Sequence, residues 1–389
     1  MTPGAAAAGL RVICLITHNE PGGALNALFR LAGELARRGH RVQVWPLYGR
    51  VDEGTHVVPC SIVLPRSTPG LFGYARIVAR LVRRLRATRP DAVVSFLPFA
   101  NVAGQLAALM SGVPNRVASQ RNPCGTYGRF IRAGDRIVGS IGIYTQNIAN
   151  SDSVRSSFGG YPRSYVERLL VVHNGLTWPP PGKARSAARA KFGLPADDPV
   201  IVNIARLSRQ KNQALLLRVV SRLPGVHLAI AGDGELRDVL REQAARLNVH
   251  GRVHFLGLLD QESVADLLAA ADLFVHPSRF EGHSNALLEA MNAGTPILAS
   301  DIASQVETLC GHAGEPAGLL LHADDEVGRV EAIKNLLDDA EQRRRFAARA
   351  RERAADFSIE RMADGFERAI RCTARSAPDL RIEPRSVER

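Results

Sequence analysis

Residues 279–301 read RFEGHSNALLEAMNAGTPILASD, and the rest of the chain is interpreted outward from this stretch. Two carboxylates, Glu281 and Glu289, flank a Gly-polar-Ser-Asn loop and the start of an apolar run. Gly282–Ser284 interrupts regular structure, and Ser284 is placed to cap a helix of Ala, Leu, Leu, Glu, Ala and Met. The first turn of such a helix carries unpaired backbone N–H groups and partial positive charge, so it suits a phosphate or diphosphate. Glu281 precedes the helix and Glu289 lies about one turn into it, so the carboxylates flank the anion position. An ionised carboxylate only accepts hydrogen bonds, which fits each one to hydroxyls such as those of a sugar or ribose. Gly294 then ends the helix, and Pro296 opens a buried strand.

A chain of 389 residues implies about two domains of ordinary size, and 46% hydrophobic with 23% charged residues is a globular balance. No sufficiently long apolar run spans a bilayer; Pro98, Asn101, Gln105 and Pro114 cut up the uncharged segment that comes nearest. The start, MTPGAAAAG, lacks the basic region and apolar core of a signal peptide. Five scattered cysteines without metal or disulfide spacing suit a reducing cytoplasm. Charge is lopsided. Residues 1–176 hold 21 Arg, no Lys and 8 acids, whereas residues 177–389 hold 29 basic and 30 acidic side chains. The whole positive excess belongs to the first half, where it calls for an anionic lipid, a nucleic acid or an acidic acceptor.

The first half alternates strands and helices. Leu10–Ile16 reads as a buried parallel strand, Thr17–Gly23 as a polar glycine loop, Ala24–Arg38 as a helix and Arg41–Leu47 as a second strand. The loop is not GxGxxG and no acidic residue follows the second strand, which disfavours a dinucleotide oxidoreductase. Gly22 and Gly23 let backbone approach a ligand closely. Leu71 to Leu85 is amphipathic, with apolar residues at three- and four-residue steps and arginines interleaved. It reads equally as a basic helix on an anionic membrane, each Arg adding about 1 kcal/mol, or as a sheet-covering helix with a solvated face. Aromatic residues are too dispersed for a nucleic-acid stacking platform. Further strands are expected at Asp91–Leu97, Asn115–Ser119, Tyr144–Asn150 and Leu169–Val172, with a helix at Asn101–Met110. Arg121, just past a strand end where ligands collect in open α/β sheets, is a candidate partner for phosphate or an acceptor anion.

The segment Glu281, Glu289, Ala290, Gly294 and Pro296 matches an E-x7-E plus A-x-x-x-G-x-P pattern. It closely resembles the donor site of the retaining glycosyltransferases of family 4, the glycosyl transferases group 1 with the GT-B fold. Arg206-Leu207 with Lys211 resembles that family's R-L-x-x-x-K segment, and Gly232-Asp233-Gly234 its G-D-G turn. ASQRNP, residues 118–123, is similar to an S-E-R-N segment of enzymes that build bacterial surface glycans, with Gln120 standing where those carry glutamate. His173-Asn174-Gly175 resembles the family's P-N-G turn at the interdomain crossing, with His in place of Pro.

The resemblance implies an α/β protein of two Rossmann-like domains facing a cleft, with a C-terminal helix returning to the first domain. Its partition would be an acceptor-binding domain at 1–176, a linker at 177–198, a nucleotide-sugar-binding domain at 199–356, a crossover helix at 357–374 and a disordered tail at 375–389. It assigns Glu281 to the donor sugar hydroxyls and Glu289 to the ribose. Arg206 and Lys211, with backbone N–H groups of Ser284, Asn285 and Ala286, hold the diphosphate, and Gly22 and Gly23 lie near it. Two fixed cations and a helix N-terminus can stabilise a departing nucleoside diphosphate; losing one such group costs roughly 3 kcal/mol of barrier. No strict D-x-D occurs, so no metal is required. The implied reaction is retaining transfer from a nucleotide sugar, UDP-sugar first among donors, without a cofactor. The acceptor is a glycan or lipid-linked sugar of bacterial surface polysaccharide, at the cytoplasmic face of the membrane. A soluble metabolite acceptor, or a non-catalytic nucleotide-sugar-binding protein, stays open beside it.

Overall fold

The protein, seen here as a computed structural model, is described over residues 9–49, 57–65, 71–177, 182–311 and 315–372. The tail expected to be disordered, 375–389, lies outside the described residues, as does the core of the Pro-rich linker. Seven parallel strands form the first sheet: β1 (Arg11–His18), β2 (Arg41–Gly49), β3 (Leu64–Pro65), β4 (Ala92–Phe96), β5 (Asn115–Gln120), β6 (Gln146–Ala149) and β7 (Leu169–Val171). Their order is β3-β2-β1-β4-β5-β6-β7. The second sheet holds β8 (Val200–Ile204), β9 (His227–Ala231), β10 (Val253–Gly257), β11 (Leu273–His276), β12 (Ile297–Ser300) and β13 (Leu319–Leu321), in the order β10-β9-β8-β11-β12-β13. Every pairing is parallel, which explains the near-continuous apolar strands: helices cover both faces, so Val12 to Ile16 are all buried.

Both sheets reverse their strand order at one place, between β1 and β4 in the first and between β8 and β11 in the second. Loops diverge outside the strand ends at such points and leave a crevice. The motif loops Glu20–Gly23, Arg206–Lys211 and Glu281–Ser284 all follow these switch-point strands.

The helix Ile359–Arg371 leaves the second domain and packs on the first, burying Met362, Phe366 and Ile370 with Leu28, Leu31 and Phe96. Its return was expected from the resemblance. Arg38 fastens it, pairing with Glu34, Asp364 and Glu367 at 2.8, 2.6 and 3.1 Å.

Three stretches differ from the sequence reading. The segment read as linker, 177–198, contains a helix, Arg185–Lys191. Arg189 is buried there and donates to the carbonyls of Ala270, Pro195, Ala196 and Asp198 while pairing with Asp272 at 2.9 Å. These bonds fix the second part of the linker to the second domain. Between β5 and β6 lies a helix that periodicity did not reveal, Arg129–Ser140. Only Asp135, Val138 and Gly139 of it are buried, too few to write an apolar stripe in the sequence. The helix expected at Asn101–Met110 opens instead with a wide π-turn, Ala100–Gly104.

The helix Leu71–Thr88 buries Ile77, Leu81 and Leu85 against Trp45 and Leu47. Several of its arginines are occupied on the protein itself. Arg84 lies 4.1 Å over the Trp45 ring and donates to Ile62 O, Arg80 donates to Val63 O, and Arg86 to Met110 O. No helix among the described residues is long and apolar enough to cross a membrane.

Candidate functional site

The two switch points face each other across a cleft of about 1500 Å³. Its lining includes all ten residues singled out from the sequence: Gly22, Gly23, Arg121, Arg206, Lys211, Glu281, Ser284, Asn285, Ala286 and Glu289. Gln120 is absent from that lining. Its amide is buried behind β5, donating to Asp135, Asn147 and the Tyr165 hydroxyl and accepting from Tyr127 and Asn101. This residue supports the strand end that presents Arg121.

The helix Asn285–Ala293 is built as its sequence suggests. Ser284 Oγ accepts from Leu287 N–H, and Gly294 terminates the helix at φ +67°. The N–H groups of Asn285 and Ala286 have no intrahelical partner, and both residues line the cleft. Gly282 serves a close approach: a Cβ there would stand 1.9 Å from Arg121 O, across the domain boundary.

Glu281 is buried and forms an ion pair with Lys211. His276 Nε2, at the end of β11, lies 3.2 Å from Glu281 and 3.1 Å from Ser284 Oγ. Burial would raise the Glu281 carboxyl, but the Lys211 ammonium and the His276 ring outweigh it and hold the group at about 2. Burial pushes the His276 ring down from its ordinary value, and with Nδ1 unpartnered it is Nε2 that faces the carboxylate. Glu281 is thus a fixed, fully ionised acceptor with capacity left for hydroxyls.

Glu289 behaves differently. It pairs with Arg30 of the first helix, Gly23–Arg37, at 2.8 Å, yet burial raises its carboxyl despite that cation. Arg206 sits at the rim, half-exposed, 3.3 Å from Glu235 and 3.6 Å from Glu20 of the opposite domain. The structure therefore separates the two expected diphosphate cations by setting, with Lys211 inside on Glu281 and Arg206 at the mouth.

Asn174 ties the domains together. Its side chain accepts from Arg121 and donates to His283 O and Asn285 Oδ1, both at 2.9 Å, while its N–H donates to His283 Nδ1 at 3.1 Å. Asn285 donates onward to Gly23 O at 3.0 Å, and Ser151 Oγ to Gly282 O at 2.8 Å. Beside this knot, Glu307 accepts the N–H groups of Asp152 and Ser153 and contacts His173 Nε2 at 2.6 Å. Arg121 is buried with its guanidinium 4.4 Å over the Phe96 ring; its Nε and Nη1 have no partner, and burial pulls its pKa down to about 9. His283 carries a similar vacancy at Nε2, and burial holds the ring well below its usual value.

Sequence reasoning did not single out Arg30, His276 or His283, and treated Asn174 as part of a turn. Arg30 and Asn174 act through partners 259 and 109 to 111 residues away, a relation no local spacing encodes. His283 lies in the deciding stretch and His276 just before it, both near Glu281 in sequence, which was the available signal.

Comparison with known proteins agrees with this geometry. The family model for glycosyl transferases group 1 matches residues 184–353, and that for glycosyltransferase family 4 matches residues 21–177. The lipopolysaccharide core biosynthesis glycosyltransferase LpsE of Rhizobium meliloti is 37% identical over 186 residues, covering 48% of this chain and 53% of LpsE. The chain thus spans about half the length of LpsE and of other curated relatives it matches. The 2-deoxystreptamine N-acetyl-D-glucosaminyltransferase of Streptomyces fradiae is 27% identical over 90% of both chains. Among solved structures, Anabaena Alr3699/HepE in complex with UDP and glucose superposes with a TM-score of 0.81 at 22% identity, covering 93% of this chain and 99% of that one. That likeness shows the fold, GT-B, as the two facing sheets require.

Proposed function

We propose that this chain, which belongs to the family 4, group 1 glycosyltransferases, moves a sugar with retention from a nucleoside-diphosphate donor to a glycan or lipid-linked acceptor of bacterial surface polysaccharide. The observation that carries this reading is the apposition of Lys211 and Glu281 with the open first turn of the helix Asn285–Ala293 in a single cleft. The diphosphate lies against the Asn285 and Ala286 N–H groups, which point their partial positive charge at it. Lys211 keeps two of its three N–H donors for a phosphate oxygen while the third stays on Glu281. Glu281, ionised and backed by His276, takes the donor sugar hydroxyls, and Glu289 takes the ribose. Arg206 closes over the outer phosphate from the rim.

Charge develops on the leaving diphosphate as the glycosidic bond breaks, so these prearranged donors act mainly on the transition state. The acceptor hydroxyl attacks from the leaving-group face and passes its proton to a phosphate oxygen, so Glu281 and Glu289 do not form a hydrolase-type acid/base pair. No metal enters this scheme. Two substrates fit, since the cleft exceeds the roughly 300–1,000 Å³ of a one-ligand pocket. Arg121, a buried cation beside the first-domain wall whose Nε and Nη1 have no partner, attracts a phosphate or carboxylate of the acceptor.

The name of LpsE supports a surface-glycan acceptor. The end-to-end match to the Streptomyces transferase supports a second reading, a soluble acceptor. A thermal-shift screen of UDP-, GDP- and ADP-sugars, followed by diphosphate release with lipid-linked and soluble acceptors, tests both. Donor binding without release for any acceptor would leave a non-catalytic binding protein.

A further inference from the structure

We propose that the helix Arg129–Ser140 is the face by which this protein lies on an anionic lipid surface, and that the more obviously basic helix Leu71–Thr88 is not. Phe130 is 95% exposed, Ile137 60% and Ile141, just past the helix end, 68%. At about 100° per residue these three fall on one stripe, while Arg129, Arg132 and Arg136 fall on the adjacent one, all exposed. The only acid of the helix, Asp135, is turned inward, where it accepts from Tyr144, Tyr165 and Gln120 at 2.9, 2.7 and 3.1 Å. The outward face is therefore apolar on one flank, cationic on the other and free of negative charge. That combination suits a bilayer interface, where rings and branched chains enter the acyl boundary and guanidiniums stay at the phosphates.

Helix Leu71–Thr88 lacks the combination. Arg80, Arg84 and Arg86 are engaged on backbone carbonyls and Trp45, and Phe72 is its one large exposed apolar side chain among the described residues. A second copy of the chain is a poor occupant for the face at Arg129–Ser140, because a twofold contact would set its three arginines against their own images. The inference deepens the lipid-linked acceptor reading and rests on it only for what the membrane delivers.

The test is co-sedimentation of the full chain with vesicles of phosphatidylglycerol and phosphatidylethanolamine, against vesicles of phosphatidylcholine alone. Three variants are compared with wild type: Phe130→Ser with Ile137→Ser, Arg129→Gln with Arg132→Gln and Arg136→Gln, and Arg76→Gln with Arg83→Gln. Unchanged thermal melts and an unchanged nucleotide-dependent shift show that each variant is folded. The expected result is binding to anionic vesicles that falls about tenfold or more in the first two variants and less than about twofold in the third. Equal binding of all four proteins, loss confined to the third, or no preference for anionic vesicles would overturn the proposal. So would a wild-type dimer in light scattering that Phe130→Ser with Ile137→Ser dissolves. Vesicle binding that persists without diphosphate release from any acceptor would support the membrane face while sinking the transferase reading.

Discussion

Arg30, on the first helix of the N-terminal domain, and Glu289, on the helix that opens toward the cleft from the C-terminal domain, meet at 2.8 Å. Their side chains are 13% and 15% exposed, so the pair is largely desolvated and bridges the two domains. Removing one partner of such a pair costs more than the pair itself contributes, because the other charge is left buried.

Arg30→Met should therefore destabilise the protein by roughly 3 kcal/mol near neutral pH. Burial already raises the Glu289 carboxyl above its usual value, and loss of the guanidinium raises it further. A carboxyl raised in the folded state favours folding when protonated and opposes it as pH rises through the folded-state value. The penalty should be larger at pH 8 than at pH 5, as read by denaturant melts of both proteins at the two pH values. An equal penalty would show that Glu289 stays ionised throughout.

Glu281 gives the opposite sign. Held at about 2, against an ordinary value of 4.5, it contributes stability that is complete above the ordinary value and is lost as pH falls toward 2. Glu281→Gln keeps the shape and should flatten that acid-side decline. Transfer should fall about a hundredfold or more, because the neutral amide leaves Lys211 unpaired and grips hydroxyls less strongly. Melts between pH 5 and 3 and initial rates at pH 7.5 check the two halves separately.

Arg121 is a buried cation without a carboxylate partner among the described residues. No counter-charge offsets its desolvation, but Asn174 Oδ1 accepts one of its N–H groups and would be left buried without that donor. Arg121→Met should therefore shift stability by no more than about 1 kcal/mol and weaken acceptor use, with KM for an anionic acceptor rising and donor binding unchanged. A variant that is fully active would remove Arg121 from the acceptor side.

Asn174→Ala breaks bonds to Arg121, His283 and Asn285 together and should cost roughly 1–3 kcal/mol. Asn285→Ala shares one of those bonds, so the double variant should lose less than the sum of the singles. Additive losses would mean that the two asparagines do not act as one joint.

The deciding stretch was legible because its chemistry is local. Ser284 at the cap, Gly294 at φ +67° and the apolar run between them each do what their residue type favours, so the helix and the flanking acids could be placed from spacing alone. The parallel sheets were legible for the same reason, as continuous runs such as Val12–Ile16 record burial on both faces. The helix Arg129–Ser140 escaped because its large apolar residues point outward and its buried acid points inward, reversing the pattern that marks a core-facing helix. Gln120 stands where the similar segments carry glutamate. Its place in a buried amide–tyrosine–aspartate network depends on Asp135 and Tyr165, which no sequence spacing connects to it.

The most direct test is a crystal structure with a nucleoside diphosphate bound. The account predicts its phosphates at the Asn285 and Ala286 N–H groups and within reach of Lys211, with the ribose on Glu289 and Arg30 drawn off that carboxylate. A diphosphate bound elsewhere, with the Lys211–Glu281 and Arg30–Glu289 pairs both undisturbed, would contradict it.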